Sequence, residues 1–420
     1  MSLINRIYKR ANINVLAIIG ISILVTIVFF TTPVTESNQG FDYDGRIYSV
    51  MAGEKSFPPE LAYLSPWRYR VLTPFLASQL PWDVLDNFRA LAFGSNILSL
   101  FVLFLILQQV GFSRGFAVLG VFLYGGVFWT LKFSFYSPAY IDYLTQLILL
   151  LIIYLTLRRS FFLLIPVFIL AALQKESLAV FSLFSVAYFL RQKPKPGGIV
   201  SVLYILLFFC ASFGALFLVR FIIDADGLSS PMNVMLWEFR KFLDPEFWLI
   251  FLQSIFSGLG FIPVLLVLHY KPWLDFLKQR WEWIVYAAIS LLFLFGGSDK
   301  GRLFLYFLPL AVILALHSIR ALKEFQMETR FGVWITLFLV AHLFIGRYLT
   351  PMGSFSEYLA RMVPEHSDGQ FLPYLFRNCL LALGVFIFTV QYMIGEWHFN
   401  PSIGFTRRGS PSVKSKNQIE

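Results

Sequence analysis

Apolar runs recur along almost the whole of this chain, at about 13–31, 90–110, 115–131, 140–157, 161–173, 177–190, 198–222, 247–269, 282–296, 303–318, 332–349 and 372–395. Inside hydrocarbon every backbone N–H and C=O has to find its partner within the segment, and a helix does this. The pattern predicts an all-α fold, a polytopic transmembrane helical bundle of about 12 spans with short helices in the outer-face loops. With 58% hydrophobic and only 14% charged residues and a mean hydropathy of +0.70, a soluble fold is disfavoured. The first run follows Arg6, Lys9 and Arg10 but lacks a small-residue cleavage site, so it reads as a retained first helix.

The net charge of +10 is first a statement about topology. Arg158 and Arg159 precede the stretch 161–190, and Arg191, Lys193 and Lys195 follow it. The positive-inside rule puts both flanks in the cytoplasm and requires a hairpin of two short spans meeting at Gln174-Lys175-Glu176-Ser177. Both termini are then cytoplasmic, the basic excess lies inside, and a bacterial cytoplasmic (inner) membrane is the expected location. Residues 1–395 form the integral membrane domain, with outer loops 32–89, 223–246 and 350–371. Within the second, Pro231–Leu243 has the pattern of an amphipathic surface helix. The basic segment 396–420 reads as a disordered cytoplasmic tail and not as a nucleic-acid arm. Cys210 and Cys379 sit in apolar runs as packing residues, without metal-like spacing. No cofactor or metal is called for, and the absence of a Gly-x-x-x-x-Gly-Lys-[Ser/Thr] loop disfavours an ATP-driven pump.

The acids and bases concentrate in Phe41–Pro74, between the first two long runs. Asp42 and Asp44 flank Tyr43, with Arg46 near enough to restrain either. An acid at the membrane edge can act as a general base; equally, the pair can solvate a loop or cap a helix starting near Gly45. Arg68 and Arg70 suit phosphate through bidentate bonds, or can anchor head groups or pair with Asp42 and Asp44. They adjoin a short apolar segment, 71–80, that can re-enter the membrane edge. Asp142 opens an apolar helix, either as a second acid or as a partner for that helix's N-terminal dipole. Lys175 and Glu176 join two short spans, as a functional polar turn or as a mutual ion pair. Ser298-Asp299-Lys300-Gly301-Arg302 is a further polar turn on the same side, ready for an anionic head group or an ordinary loop. Arg347 reads as a snorkelling interfacial arginine, and His366 has no visible partner.

Asp44-x-x-x-Tyr48-x-x-x-Ala52, Pro66-Trp-Arg-Tyr-Arg-Val-Leu-Thr-Pro74, Lys175-Glu176 and Asp299-Lys-Gly-Arg302 together make the chain resemble polytopic glycosyltransferases of the GT-C class. The resemblance implies a membrane enzyme that takes a sugar from a polyprenyl-phosphate carrier and passes it to an envelope glycan or lipid acceptor on the outer face. It implies Asp44 as the base with Asp42 as neighbour, and basic outer-face residues, Arg68, Arg70, Lys300 or Arg302, on the carrier phosphate. Two departures stand out: Tyr43 splits the loop acids, and no large soluble C-terminal domain is present. Two other readings stay open. One is an O-antigen-type polymerase or ligase; the other is a lipid or glycan transporter or flippase, which a charged mid-membrane cavity would favour.

Overall fold

The computed structural model describes residues 3–191, 198–223, 231–297, 299–324, 328–394, 397–400 and 404–407. Helices dominate. The first is α1 (Leu3–Thr31), followed by the loop helices α2 (Asp44–Met51) and α3 (Leu72–Ser78). Next come α4 (Val84–Val110), α5 (Arg114–Gly125), the short α6 (Leu131–Tyr136) and α7 (Asp142–Leu157). The stretch expected as a hairpin is α8 (Phe161–Gln174), α9 (Glu176–Ala179) and α10 (Ser182–Arg191), broken at Lys175, whose backbone is extended. Beyond lie α11 (Gly198–Phe209), α12 (Ala215–Ile222), α13 (Pro231–Arg240), a helix within the Pro231–Leu243 stretch, α14 (Pro245–Leu259), α15 (Ile262–Leu268) and α16 (Tyr270–Gln279). The last third holds α17 (Glu282–Leu292), α18 (Lys300–Leu303), α19 (Leu308–Glu324), α20 (Glu328–Ile345), α21 (Phe355–Met362) and α22 (Leu372–Ile394). Trp397–Asn400 pairs antiparallel with Gly404–Arg407. Residues 408–420 of the 396–420 tail, and Ser298 of the 298–302 turn, lie outside the described residues.

Among the described residues three helices are long and apolar enough to cross a membrane: Val84–Val110, Val202–Ile222 and Leu372–Gln391. Two bent pairs raise the number to five if each is one span, and six further apolar helices are shorter. The run at 247–269 is one of the bent pairs, turning by 101° between α14 and α15. The turn falls at Gly260, whose φ of +58° a side chain would strain, three residues before Pro263. The run at 303–318 bends by 71° just before Pro309.

The core lies between α4, α5, α7 and α19. Almost every residue of Leu308–Leu316 is buried, as expected of a helix that is apolar all round. α5 packs against both α4 and α19, and Gly120 allows it: a Cβ there would collide with Leu107 and Leu316. By contrast, Val202–Ile222 and Leu372–Gln391 bury only 22% and 17% of their 18-residue apolar stretches and present apolar outer flanks. A smaller apolar cluster of Phe41, Tyr48, Ala52, Ala77, Phe88, Ala139 and Ile141 seats α2 and α3 on this frame.

Candidate functional site

A cavity of about 670 Å³ opens where the loop helices meet the ends of the longer ones. Its charged wall comes from widely separated segments: Asp44, Arg70, Lys175, Glu176, Arg220, Glu238, Asp299 and Arg302. Its apolar wall is largely aromatic, with Tyr43, Trp67, Phe133, Tyr140, Trp237, Phe293, Tyr306 and Tyr358. A concave, aromatic-lined space with a few convergent charges is the usual form of a small-molecule site.

Asp44 reaches the cavity as the first residue of α2. The preceding Tyr43 has φ +40°, an uncommon conformation for a non-glycine residue, and its ring lies against His366 and Phe355. The Asp44 carboxylate stands 3.5 Å from Arg302 Nη2. Arg302 also lies 3.3 Å from Asp299 and 3.7 Å from Asp142, with its guanidinium carbon 5.0 Å from the centre of the Tyr140 ring. The turn carrying Arg302 is pinned from behind. Gly301 packs on Ser257 and Trp129, and a Cβ on Gly258 would stand 2.6 Å from the Gly301 carbonyl oxygen.

Arg70 donates through Nε and Nη2 to both oxygens of Glu176, at 3.1 and 2.8 Å, and through Nη1 to the Tyr48 hydroxyl at 3.1 Å. Lys175 donates to Asp142 at 3.2 Å. Lys175 and Glu176 therefore have separate partners and not one another. The break between α8 and α9 is itself held: Gln174 donates to the Ile141 carbonyl and Thr145, and accepts from Thr73 of α3.

Other expected site residues lie elsewhere. Asp42 is 1% exposed and outside the lining; one oxygen accepts from Ser137 at 2.7 Å and the other has no hydrogen-bond partner. Burial pushes its carboxyl up to about 6; the Ser137 bond opposes the shift and nearby Asp44 adds to it. Asp142 is buried behind the wall, bracing Lys175 and Arg302. Tyr48 is likewise buried, bonded to Arg70. Arg46 does not line the cavity, and Arg68 stacks over Tyr63 with 4.0 Å from guanidinium carbon to ring centre. Lys300, expected to face a phosphate, is buried and fully engaged: Nζ donates to Glu238 at 2.7 Å, to Leu294 O at 2.7 Å and to Gly297 O at 2.6 Å. Glu238 also takes Lys241 at 2.7 Å. Arg347 is buried, bonded to the Pro351 carbonyl and 3.8 Å from Glu357, so it does not snorkel.

His366, which has no partner legible in the sequence, lines the cavity 3.5 Å from Asp299. The hydrogen bond to Asp299 raises the imidazole above its ordinary range. Beside it, burial and then Asp299 push Glu365 up to about 7, while its Oε1 accepts from the Lys300 backbone N–H at 3.1 Å. Tyr306 closes the far wall, its hydroxyl 2.6 Å from Ser177 Oγ. Tyr140, Tyr306 and Arg220 carry no local sequence signal beyond residue type, and Trp67 only its place in the 66–74 segment; the packing gathers them. Among the described residues no group of three or more His, Cys, Asp and Glu has the geometry to hold a metal ion. No protein-family model matches the chain, and no curated protein does.

Proposed function

We propose that this chain is an integral membrane glycosyltransferase of the GT-C kind. It moves a sugar from a polyprenyl-phosphate donor to an envelope glycan or lipid acceptor on the outer face of a bacterial inner membrane. In this reading the two bent pairs, the six shorter apolar helices and α10 join the three long ones to complete about twelve crossings, and both termini are cytoplasmic. One observation carries it: a carboxylate with only a long contact to one arginine, Asp44, shares an aromatic-walled cavity with the guanidinium groups of Arg70 and Arg302.

The acceptor hydroxyl gives its proton to Asp44 while its oxygen forms a bond to the anomeric carbon. The bond from that carbon to the carrier phosphate oxygen breaks, and the electron pair leaves with the lipid phosphate. Configuration at the anomeric carbon inverts. Arginines fixed on the wall need no reorganisation as charge develops on the departing phosphate. Asp142 and Glu176 act through others: they hold Lys175, Arg302 and Arg70 in place. The aromatic wall supplies flat apolar faces for sugar rings.

The test is transfer by purified protein in lipid from a panel of radiolabelled polyprenyl-phosphate sugars, with envelope extract as acceptor. Asp44→Asn should lower the rate by roughly 10²- to 10⁴-fold while the protein stays folded. Unchanged turnover would remove Asp44 as the base. Block transfer from a lipid diphosphate would point instead to a polymerase.

A further inference from the structure

The cations of the cavity are unequally available. Arg70 is held by both oxygens of Glu176, Lys175 by Asp142, and Arg302 lies among Asp44, Asp142 and Asp299. A lipid phosphate arriving from the membrane meets at each of these a charge that carboxylates already partly compensate, so they are poorly suited to first capture, whatever they do for a phosphate already seated in the cavity. Arg220 differs. It lines the cavity, is exposed, and has no carboxylate partner among the described residues; its guanidinium carbon lies 5.2 Å from the centre of the Tyr69 ring. Stacking of this kind holds a guanidinium in place and leaves its N–H edge free.

The helix that carries Arg220 is a wall one helix thick. Leu216 and Arg220, four residues apart on α12, face the cavity. Phe217 and Phe221, also four apart and one step round, are 73% and 79% exposed, and their rings stack at 6.3 Å. The π-helical turn Cys210–Gly214 directly precedes α12. Its extra residue rotates the following turns relative to an uninterrupted α-helix, and such turns cluster at functional sites. A ligand with a hydrocarbon chain and an anionic head therefore fits this wall in one way. The chain lies along the apolar outer flank, and the head rounds the end of α12 onto Arg220.

We infer that Arg220 first receives a lipid-borne phosphate ester at a lateral portal beside α12, ahead of Arg70 and Arg302 deeper in the cavity, while Lys300 braces the interior. The inference rests on the transferase reading for the identity of the lipid, a polyprenyl phosphate. Its test is binding of fluorescent undecaprenyl phosphate to the full chain in nanodiscs, for wild type, Arg220→Gln and Arg220→Lys. Phosphatidic acid and inorganic phosphate serve as competitors, and Arg89→Gln is a control for general head-group attraction, since Arg89 lies outside the cavity beside Asp86. Losing a charge-assisted contact should weaken binding by roughly 10- to 100-fold in Arg220→Gln. Arg220→Lys should restore most of it, and Arg89→Gln should leave it unchanged. Because Arg220 is exposed, the melting temperature should not move.

Equal binding by wild type and Arg220→Gln would overturn the inference, as would equal competition by inorganic phosphate. Equal competition by phosphatidic acid would make Arg220 a structural-lipid contact and overturn the carrier assignment. Transfer assays separate the two readings. If wild type transfers a sugar and Arg220→Gln keeps its donor KM, the portal alone falls. If polyprenyl phosphate binds through Arg220 and no donor is turned over, the transferase reading falls and the binding site stands.

Discussion

Asp42→Asn separates the two acids that the sequence places side by side. In the unfolded chain this carboxyl ionises near 3.8, and in the folded protein burial moves it to about 6. Across that interval the folded state holds more protons than the unfolded state, so stability falls as pH rises from about 4 and the loss is complete above about 6. The difference between 3.8 and about 6 corresponds to roughly 3 kcal/mol. Asparagine keeps the acceptor that Ser137 uses and cannot ionise. Its amide nitrogen would occupy the place of the partnerless Oδ2, at a cost of about 1 kcal/mol. The variant should therefore be slightly less stable than wild type at pH 4 and more stable by about 2 kcal/mol at pH 7. Denaturant unfolding in detergent at a series of pH values measures both curves. Parallel curves between pH 4 and 7 would refute the reasoning, because no proton would then be linked to folding at this site. Sugar transfer should persist in the variant, since Asp42 lies outside the cavity.

Two further predictions concern the braces of the cavity. Breaking the Arg70–Glu176 pair with Glu176→Gln should cost about 2–3 kcal/mol, somewhat less than for a fully buried pair because the Glu176 side chain is 25% exposed. In a double-mutant cycle with Arg70→Met the coupling should exceed about 1 kcal/mol, and additive losses would show that the two do not act together. The His366–Asp299 contact raises the imidazole, so its stabilisation is complete below the ordinary histidine value and disappears as pH rises through the raised one. The melting-temperature difference between wild type and His366→Gln should accordingly shrink towards alkaline pH; a difference that grows there would contradict the assignment.

The helical class and the residues that gather at one end were legible because burying charge in an apolar chain is costly, which confines Asp44, Arg70, Lys175, Glu176 and Arg302 to run ends. Their pairing was not. Adjacency suggests that Lys175 and Glu176 meet, but Lys175 has extended backbone, so the two side chains diverge towards Asp142 and Arg70. Asp42 and Asp44 would share a direction in an extended chain and diverge in a helix; Asp44 opens a helix and only it reaches the cavity. Lys300 looks like a free surface lysine until Glu238 is folded over it. Arg220 ends an apolar run, where a snorkelling arginine is ordinary, and nothing local sets it apart. The bends at Gly260 and before Pro309 did carry a signal in their glycine and proline residues, one that hydropathy alone passes over.

The ion pairs also differ in when they can form during synthesis. Lys175 and Asp142 are 33 residues apart, and Lys300 and Glu238 are 62 apart. Arg70 and Glu176 are separated by 106 residues, and Arg302 and Asp44 by 258. On the membrane reading a bare charge at mid-bilayer costs about 2.5–3.5 kcal/mol at insertion, so the close pairs neutralise one another as their own segments emerge. Asp44 has to wait for Arg302 through more than half of the chain, and a water-facing loop is where it can wait without that cost. A chain halted before Lys300 would insert most of its helices and still hold an unfinished site.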